Sequence, residues 1–482
     1  MAKPIVAGES RGSLISLVVI LAVAGIVLVT QTGPALGLGT VLVAALVLLS
    51  FLHTEFGLHL ILISMLLSPE IVVGAAGIVL GKPEMKGDAL VVRMEDLVLV
   101  AITAAWLARL LVFRVMGLLR KTPLNPPIAA YTVIAVLATL LGFWAGKVPP
   151  VPGFFFVAKY IEFFILFYVM ATHLTNEAQL TRLLRTMWGT CIVACVIALA
   201  QIPTGQRVSA PFEGPQGEPN TFGGYLVLMI ALALGQGLTL AKPKQRLRWL
   251  ALAGLILVPL LFTLSRTSWL AAIPMLLTLI LLSPRRHILI AAVLLVIVGG
   301  AAITPDAVLE RINYTFYDPE DRGDVWVAGT QLDTSTAARF ASWRTGFKDW
   351  VERPVFGYGV RGYMFMDAQY FRVLTETGIV GLLAFGWLLV ALGRLAWKTY
   401  TRLRGTRYEG LALGYLAGYV AMITHCIGAN TFIIVRIMEP WWFCTAMMLV
   451  LPIFEGARAA APADGVPVRA RWHSAAPTPL HP

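Results

Sequence analysis

RWLALAGLILVPLLFTLSRTSWLAAIPMLLTLILLSPRRHILIAAVLLVIVGGAAI, residues 248–303, sets three apolar runs one after another with only two short polar connections between them. The runs, at about 249–264, 268–282 and 288–304, approach the length that crosses a hydrocarbon core as a helix. The first connection, Ser265-Arg266-Thr267-Ser268-Trp269, is a tight turn holding one arginine. The second holds Arg285 and Arg286, and Lys242 to Arg248 precede the first run. Basic clusters on alternate connections are how a polytopic membrane protein records its orientation.

The rest of the chain repeats the pattern. Of 482 residues, 58% are hydrophobic and 13% charged, with a mean hydropathy of +0.78, so the fold class is an all-α polytopic membrane protein. The net charge of +12 is spread between apolar runs rather than gathered on one face, which excludes nucleic acid as a partner and makes the lipid bilayer one. Further spans are expected at 14–30, 36–52, 57–80, 95–113, 128–145, 154–172, 186–202, 220–240, 372–397, 410–428 and 440–455, about 14 in all and 12 at the fewest. Ser68-Pro69-Glu70 interrupts the run at 57–80, where two re-entrant halves would also fit.

Of the 38 lysines and arginines, 22 fall on the side that holds both termini. That side is therefore cytoplasmic, and Ser265 to Trp269 turns at the outer face. The organisation read from these runs is a helical unit over 1–199, spans with two outer arginine-bearing connections over 200–304, an outer loop over 305–371, closing spans over 372–456 and a disordered cytoplasmic tail over 457–482. No glycine-rich phosphate loop occurs, so transport driven by ATP is not expected of this chain. Cys191, Cys195, Cys426 and Cys444 lie in apolar runs without zinc or redox spacing and read as core residues. His53, His59, His173, His287 and His425 lack metal-ligand spacing, and no metal or cofactor is expected.

Chemistry concentrates at the outer face. The loop from Pro305 to Tyr370 carries ten acids, seven bases and thirteen aromatics, a composition unlike that of a linker and suited to holding sugars between aromatic faces and charged groups. After Asp333 a helix is expected to about Trp350, with Phe340, Trp343, Phe347 and Trp350 on one face. Pro354 stops it, and Phe356-Gly357-Tyr358-Gly359 turns the chain back to the bilayer. Arg207 and Arg266 on two short outer connections, with Arg339 and Arg344 on the loop, share one side. Converging guanidinium groups are what a membrane-bound pyrophosphate requires. Lys159 and Glu162 are spaced to pair on one helix face, or to line a cavity wall below the site.

Arg207 with Pro219-Asn220, then Ser265-Arg266, then Arg339 with Trp343 and the Pro354–Gly359 turn, then YFRVLTETGIVG over 370–381 form an order that resembles the O-antigen ligase and polysaccharide polymerase superfamily over roughly residues 200–400. The resemblance implies a metal-independent, membrane-embedded glycosyltransferase in the bacterial inner membrane, acting at the periplasmic face. Its donor would be an undecaprenyl pyrophosphate-linked glycan and its acceptor another glycan, with a chain-length regulator as a further partner. It also implies that Arg207 and Arg266 bind the pyrophosphate, supported by Arg339 and Arg344, and that Trp343, Tyr358 and Tyr370 serve the glycan. Where ligases of the superfamily carry a histidine in a His-Asn-x-Tyr-Leu-like stretch, this chain reads Asp367-Ala368-Gln369-Tyr370-Phe371. Asp367 is then the candidate base, with Glu376 as its rival. The missing histidine favours a polymerase over a ligase or oligosaccharyltransferase, and a flippase for the same lipids is the alternative from another class.

Overall fold

The structure is a computed structural model that describes residues 46, 48–50, 53–68, 70–74, 77–80, 90–93, 98–104, 121–213, 217–303, 306–317, 322–327 and 330–459. Its helices in chain order are α1 (Thr54–Leu67), α2 (Asn125–Trp144), α3 (Pro150–His173), α4 (Glu177–Gln201), α5 (Pro219–Thr239), α6 (Pro243–Phe262), α7 (Arg266–Leu282), α8 (Arg286–Ile303), α9 (Asp306–Tyr317), α10 (Thr334–Trp350), α11 (Gln369–Leu403), α12 (Glu409–His425) and α13 (Val435–Ala459). Among the described residues, α2, α3, α4, α5, α6, α11 and α13 are long and apolar enough to cross a membrane. The expected span at 14–30, most of those at 36–52 and 95–113, and the tail from 460 onward lie outside the described residues, although 98–104 is described and helical.

One expected span is corrected. The run at 57–80 is not a single helix: α1 ends at Leu67, Ser68 is extended with φ −90° and ψ 139°, and β1 (Glu70–Gly74) pairs antiparallel with β2 (Gly77–Leu80) and with β3 (Leu90–Arg93). The residue before a proline is driven out of the helical region by the pyrrolidine ring. The β-branched residues that follow then favour a hairpin. A second two-stranded ladder, β4 (Arg322–Val327) with β5 (Thr330–Asp333), leads into α10, so the helical fold carries two small sheets that periodicity did not predict. The helix expected after Asp333 is α10, ending at Trp350 as expected.

At the centre lies α5, buried along nearly its whole length. Its approach to α12 is close: a Cβ on Gly235 would meet the Gly410 carbonyl at 2.4 Å and the Gly414 amide nitrogen at 2.5 Å. Small residues allow helix backbones to meet where lipid supplies no hydrophobic drive for association. Aromatic contacts lock the neighbouring helices, with Trp442 of α13 edge-on to Phe164 and Phe167 of α3 at 5.2 and 5.4 Å. At the far end of α5, Arg285 donates to the Leu238 and Thr239 carbonyls, which would otherwise be left open at the helix C-terminus.

The longest helix is broken by design of its sequence. Gly378 in α11 has φ 68° and ψ −169°, and a Cβ there would lie 2.1 Å from the Val355 carbonyl. Only glycine adopts that backbone without strain. The Pro354–Gly359 turn fills the break: Tyr358 and Gly359 donate to the Thr375 and Glu376 carbonyls, and Ile379 donates to the Pro354 carbonyl at 2.9 Å. Backbone groups freed by the break are thus satisfied by the loop, as a non-aqueous setting requires. Two motifs 20 residues apart in sequence are one structural unit.

Candidate active site

Four segments meet at one cavity of about 520 Å³. The start of α3 contributes Phe155, Phe156, Lys159 and Tyr160, the N-terminus of α5 contributes Glu218, Pro219 and Asn220, and Phe365, Asp367 and Arg372 come from the approach to α11. The connection between α12 and α13 closes the remaining side with Asn430 and its apolar neighbours. Pro219-Asn220 and Ser265-Arg266 are joined directly, since the Ser265 hydroxyl donates to Asn220 Oδ1 at 2.8 Å and also caps α7. Ser268 continues the chain of polar contacts to His425, whose other ring nitrogen meets Thr431. His425 is therefore a buried strut among hydroxyls.

Arginines gather beside this cavity. Arg207 donates from Nε to the Thr263 carbonyl at 2.9 Å and from Nη2 to the Leu264 carbonyl at 3.3 Å, which fixes it over the turn that carries Arg266. Its pKa falls to about 10, through desolvation first and then through repulsion from Arg311, Arg266 and Arg339. It stays protonated at neutral pH; burial is the main cause of the shift, and the neighbouring cations add to it. Arg311, on α9, is a member that sequence reasoning missed, because its neighbours Asp306 and Glu310 make α9 look like a solvated helix. Arg344 is exposed and does not figure among the cations acting on Arg207.

The candidate bases differ sharply. Asp367 lines the cavity and is bridged by Arg339 Nη2 at 3.1 Å, with its side chain 36% exposed. Burial raises its carboxyl above the usual carboxylate range, Arg339 pulls it back, and Glu218 pushes it up again. Glu376 is buried two turns into α11, and both its oxygens are engaged: Oε1 accepts from Arg372 Nε at 3.1 Å and from the Arg361 amide at 3.2 Å, and Oε2 from the Tyr160 hydroxyl at 3.2 Å. The ion-pair partner of Asp367 is thus Arg339, 28 residues before it in the chain.

The aromatic candidates are placed in packing. Trp343 stacks on Phe371 with centroids 5.1 Å apart and planes 10° apart. Tyr358 is buried and its hydroxyl contacts the Asp349 carbonyl and Glu352, while the Tyr370 hydroxyl donates to the Ile423 carbonyl at 2.7 Å. The aromatic faces on the cavity belong instead to Phe155, Phe156, Tyr160 and Phe365. Lys159 is both paired with Glu162 at 3.2 Å and part of the cavity wall.

Strain marks the same place. Among the described residues, the non-glycine positions with positive φ are Phe212, Leu264 and Arg361. Leu264 offers its carbonyl to Arg207, Arg361 its amide to Glu376, and Phe212 precedes Glu213, which forms a sealed 2.8 Å ion pair with Arg436. Backbone held in such regions clusters where surrounding contacts enforce a functional geometry. No group of acidic, cysteine and histidine side chains able to hold a metal ion is found among the described residues.

None of the curated proteins compared with the chain matches it. A family model described as O-antigen ligase matches residues 250–386, from α6 into α11. That stretch contains Arg266, Arg311, Arg339, Asp367 and Arg372, while Arg207 and Glu218 precede it. The match supports an O-antigen ligase or polymerase type of function for a membrane protein with several apolar helices, and it agrees with the order of motifs on the superfamily of O-antigen ligases and polysaccharide polymerases.

Proposed function

We propose that the protein is an inner-membrane glycan polymerase that moves a growing polysaccharide from undecaprenyl pyrophosphate to a sugar hydroxyl of another lipid-linked repeat. The observation that carries this reading is the crowding of Arg266, Arg311 and Arg339 around Arg207, next to a cavity whose wall holds Asp367. Like charges are costly to gather. The cost is understandable where a polyanion is to be bound, and a pyrophosphate leaving group gains charge as its bond to the anomeric carbon breaks.

In the proposed reaction the acceptor hydroxyl attacks the anomeric carbon while Asp367 takes its proton. The bond from that carbon to the pyrophosphate oxygen breaks, and its electron pair stays on the oxygen, stabilised by the arginines. A raised carboxyl pKa improves Asp367 as a base provided it remains ionised, which Arg339 favours. Glu376, with its oxygens already engaged and outside the cavity lining, is assigned to holding Arg372. The 14-span topology with both termini cytoplasmic, and a periplasmic site beneath the loop of α9, β4, β5 and α10, belong to the same proposal.

Membranes supplied with lipid-linked repeats test it. Arg266→Ala should lower chain extension by about 10²–10³, the effect of removing one preorganised donor, with expression and helicity unchanged. Full extension by both Arg207→Ala and Arg266→Ala would refute the pyrophosphate assignment. The name of the matching family favours transfer to lipid A core as the second reading, and presenting each acceptor in turn separates the two. Single-repeat glycans on the surface of a strain lacking the protein, rather than their complete loss, would argue against a flippase.

A further inference from the structure

The cavity has features that the pyrophosphate and the base leave unexplained. Lys159 and Arg372 both line it and both are largely shielded from solvent, at 14% and 5% side-chain exposure. Each is held by a carboxylate, Glu162 or Glu376, that is not part of the lining among the described residues. Both cations thus belong to the cavity wall, whereas their carboxylate partners do not. Glu218 and Asp367 line the same cavity.

Asn430 supplies the second observation. It is 4% exposed and lines the cavity. Its amide nitrogen donates to the Met366 carbonyl at 2.7 Å, whereas its Oδ1 has no hydrogen-bond donor within the described protein. A buried acceptor left unsatisfied keeps its full desolvation penalty, so the site calls for a ligand with a hydroxyl or amide proton to give. Phe155, Phe156 and Phe365 line the cavity beside these polar groups, a mixture of aromatic and polar side chains that suits a pyranose ring.

We propose that this cavity seats the acceptor sugar and that the sugar is a hexuronic acid, its carboxylate on Lys159 and Arg372, a ring hydroxyl donating to Asn430 Oδ1, and its attacking hydroxyl towards Asp367. The charges argue for one negative charge rather than two. Glu218 and Asp367 in the same lining repel a dianion more strongly than a monoanion, so a phosphate is disfavoured here while the arginine cluster suits it. The acceptor role rests on the glycosyltransferase reading above, but the preference for an acidic sugar does not require turnover.

Binding to the detergent-purified full chain therefore tests it separately. A linear tetramer of glucuronic acid should bind at least tenfold more tightly than the matching glucose tetramer. Lys159→Met, which keeps the aliphatic stem, should abolish that preference, Lys159→Arg should retain it, and Asn430→Leu should weaken both ligands alike. Equal binding of the two tetramers, or a preference that survives Lys159→Met in protein of unchanged melting temperature, overturns the proposal. If the preference holds while the parent protein extends no chains from lipid-linked repeats, the polymerase reading is wrong and the acidic-sugar site stands.

Discussion

Two guanidinium–carboxylate pairs border the same cavity, and their surroundings set them apart. Arg372 and Glu376 lie on one helix face, four residues apart, with side chains 5% and 6% exposed and every carboxylate oxygen bonded. Arg339 and Asp367 come from different elements, meet at 3.1 Å and remain 23% and 36% exposed. The sealed pair has no capacity left for a substrate proton. The open pair can exchange its partner, since Arg339 is one of the cations crowding Arg207 and Asp367 faces the cavity. Burial separates a structural ion pair from a reactive one more clearly than chemistry does, because both are built from the same two groups.

The largest effect should follow from breaking the sealed pair. Glu376→Ala strands Arg372 in the interior and removes the acceptor for Tyr160 and for the strained Arg361. Breaking a buried pair costs about 3–5 kcal/mol, so the variant should lose thermal stability in detergent. Arg372→Met with Glu376→Leu should recover part of that loss. If Glu376→Ala melts like the parent protein but fails to extend chains, Glu376 is the base and the comparison is reversed.

Asp367→Asn should do the opposite: near-parental stability and a fall in chain extension of about 10²–10⁴, the range for losing a general base. Glycan length measured on purified enzyme with lipid-linked repeats decides this. Parental extension by the amide would remove Asp367 from the mechanism.

A smaller change should come from Arg339→Ala, which leaves the carboxylate present but alters its titration. Burial and Glu218 raise the Asp367 pKa and Arg339 lowers it. A base works ionised, so extension should rise with pH through that pKa and then level off, and removing Arg339 should move the rise to higher pH. A shift to lower pH would contradict the pairing.

Much of this site could be read before any coordinates. Arg207, Arg266 and Arg339 are conspicuous because arginine at an outer connection between apolar runs is costly to place idly, and Asp367 is visible as a departure in a stretch that otherwise fits. Helix periodicity also located α10, whose residues alternate polar and aromatic with a near-helical period. Gly378 was not legible as a break, since a glycine in Thr377-Gly378-Ile379 resembles many ordinary membrane-helix glycines. Its meaning depends on the Pro354–Gly359 turn that docks against it. Asn430 was hidden for a related reason: it belongs to an irregular connection, and an unsatisfied oxygen has no signature in sequence. Tyr358 and Trp343 attracted notice as aromatics in a polar loop, but aromatics pack loops as well as bind sugars, and only burial tells the two uses apart.

The smallest effect expected tests where the arginine cluster ends. Arg344 lies one helical turn and a fraction beyond Arg339 on α10, yet it is exposed, and the cations that depress the Arg207 pKa are Arg311, Arg266 and Arg339. Exposed charges act weakly through water and salt, and surface substitutions of this kind usually change stability by no more than about 0.5 kcal/mol. Arg344→Ala should therefore leave chain extension within about twofold of the parent, and raising the salt concentration should erase the difference. Loss of extension comparable to that of Arg266→Ala would mean that α10 turns Arg344 towards the pyrophosphate during catalysis, and that the open pair is part of a surface that rearranges when the donor binds.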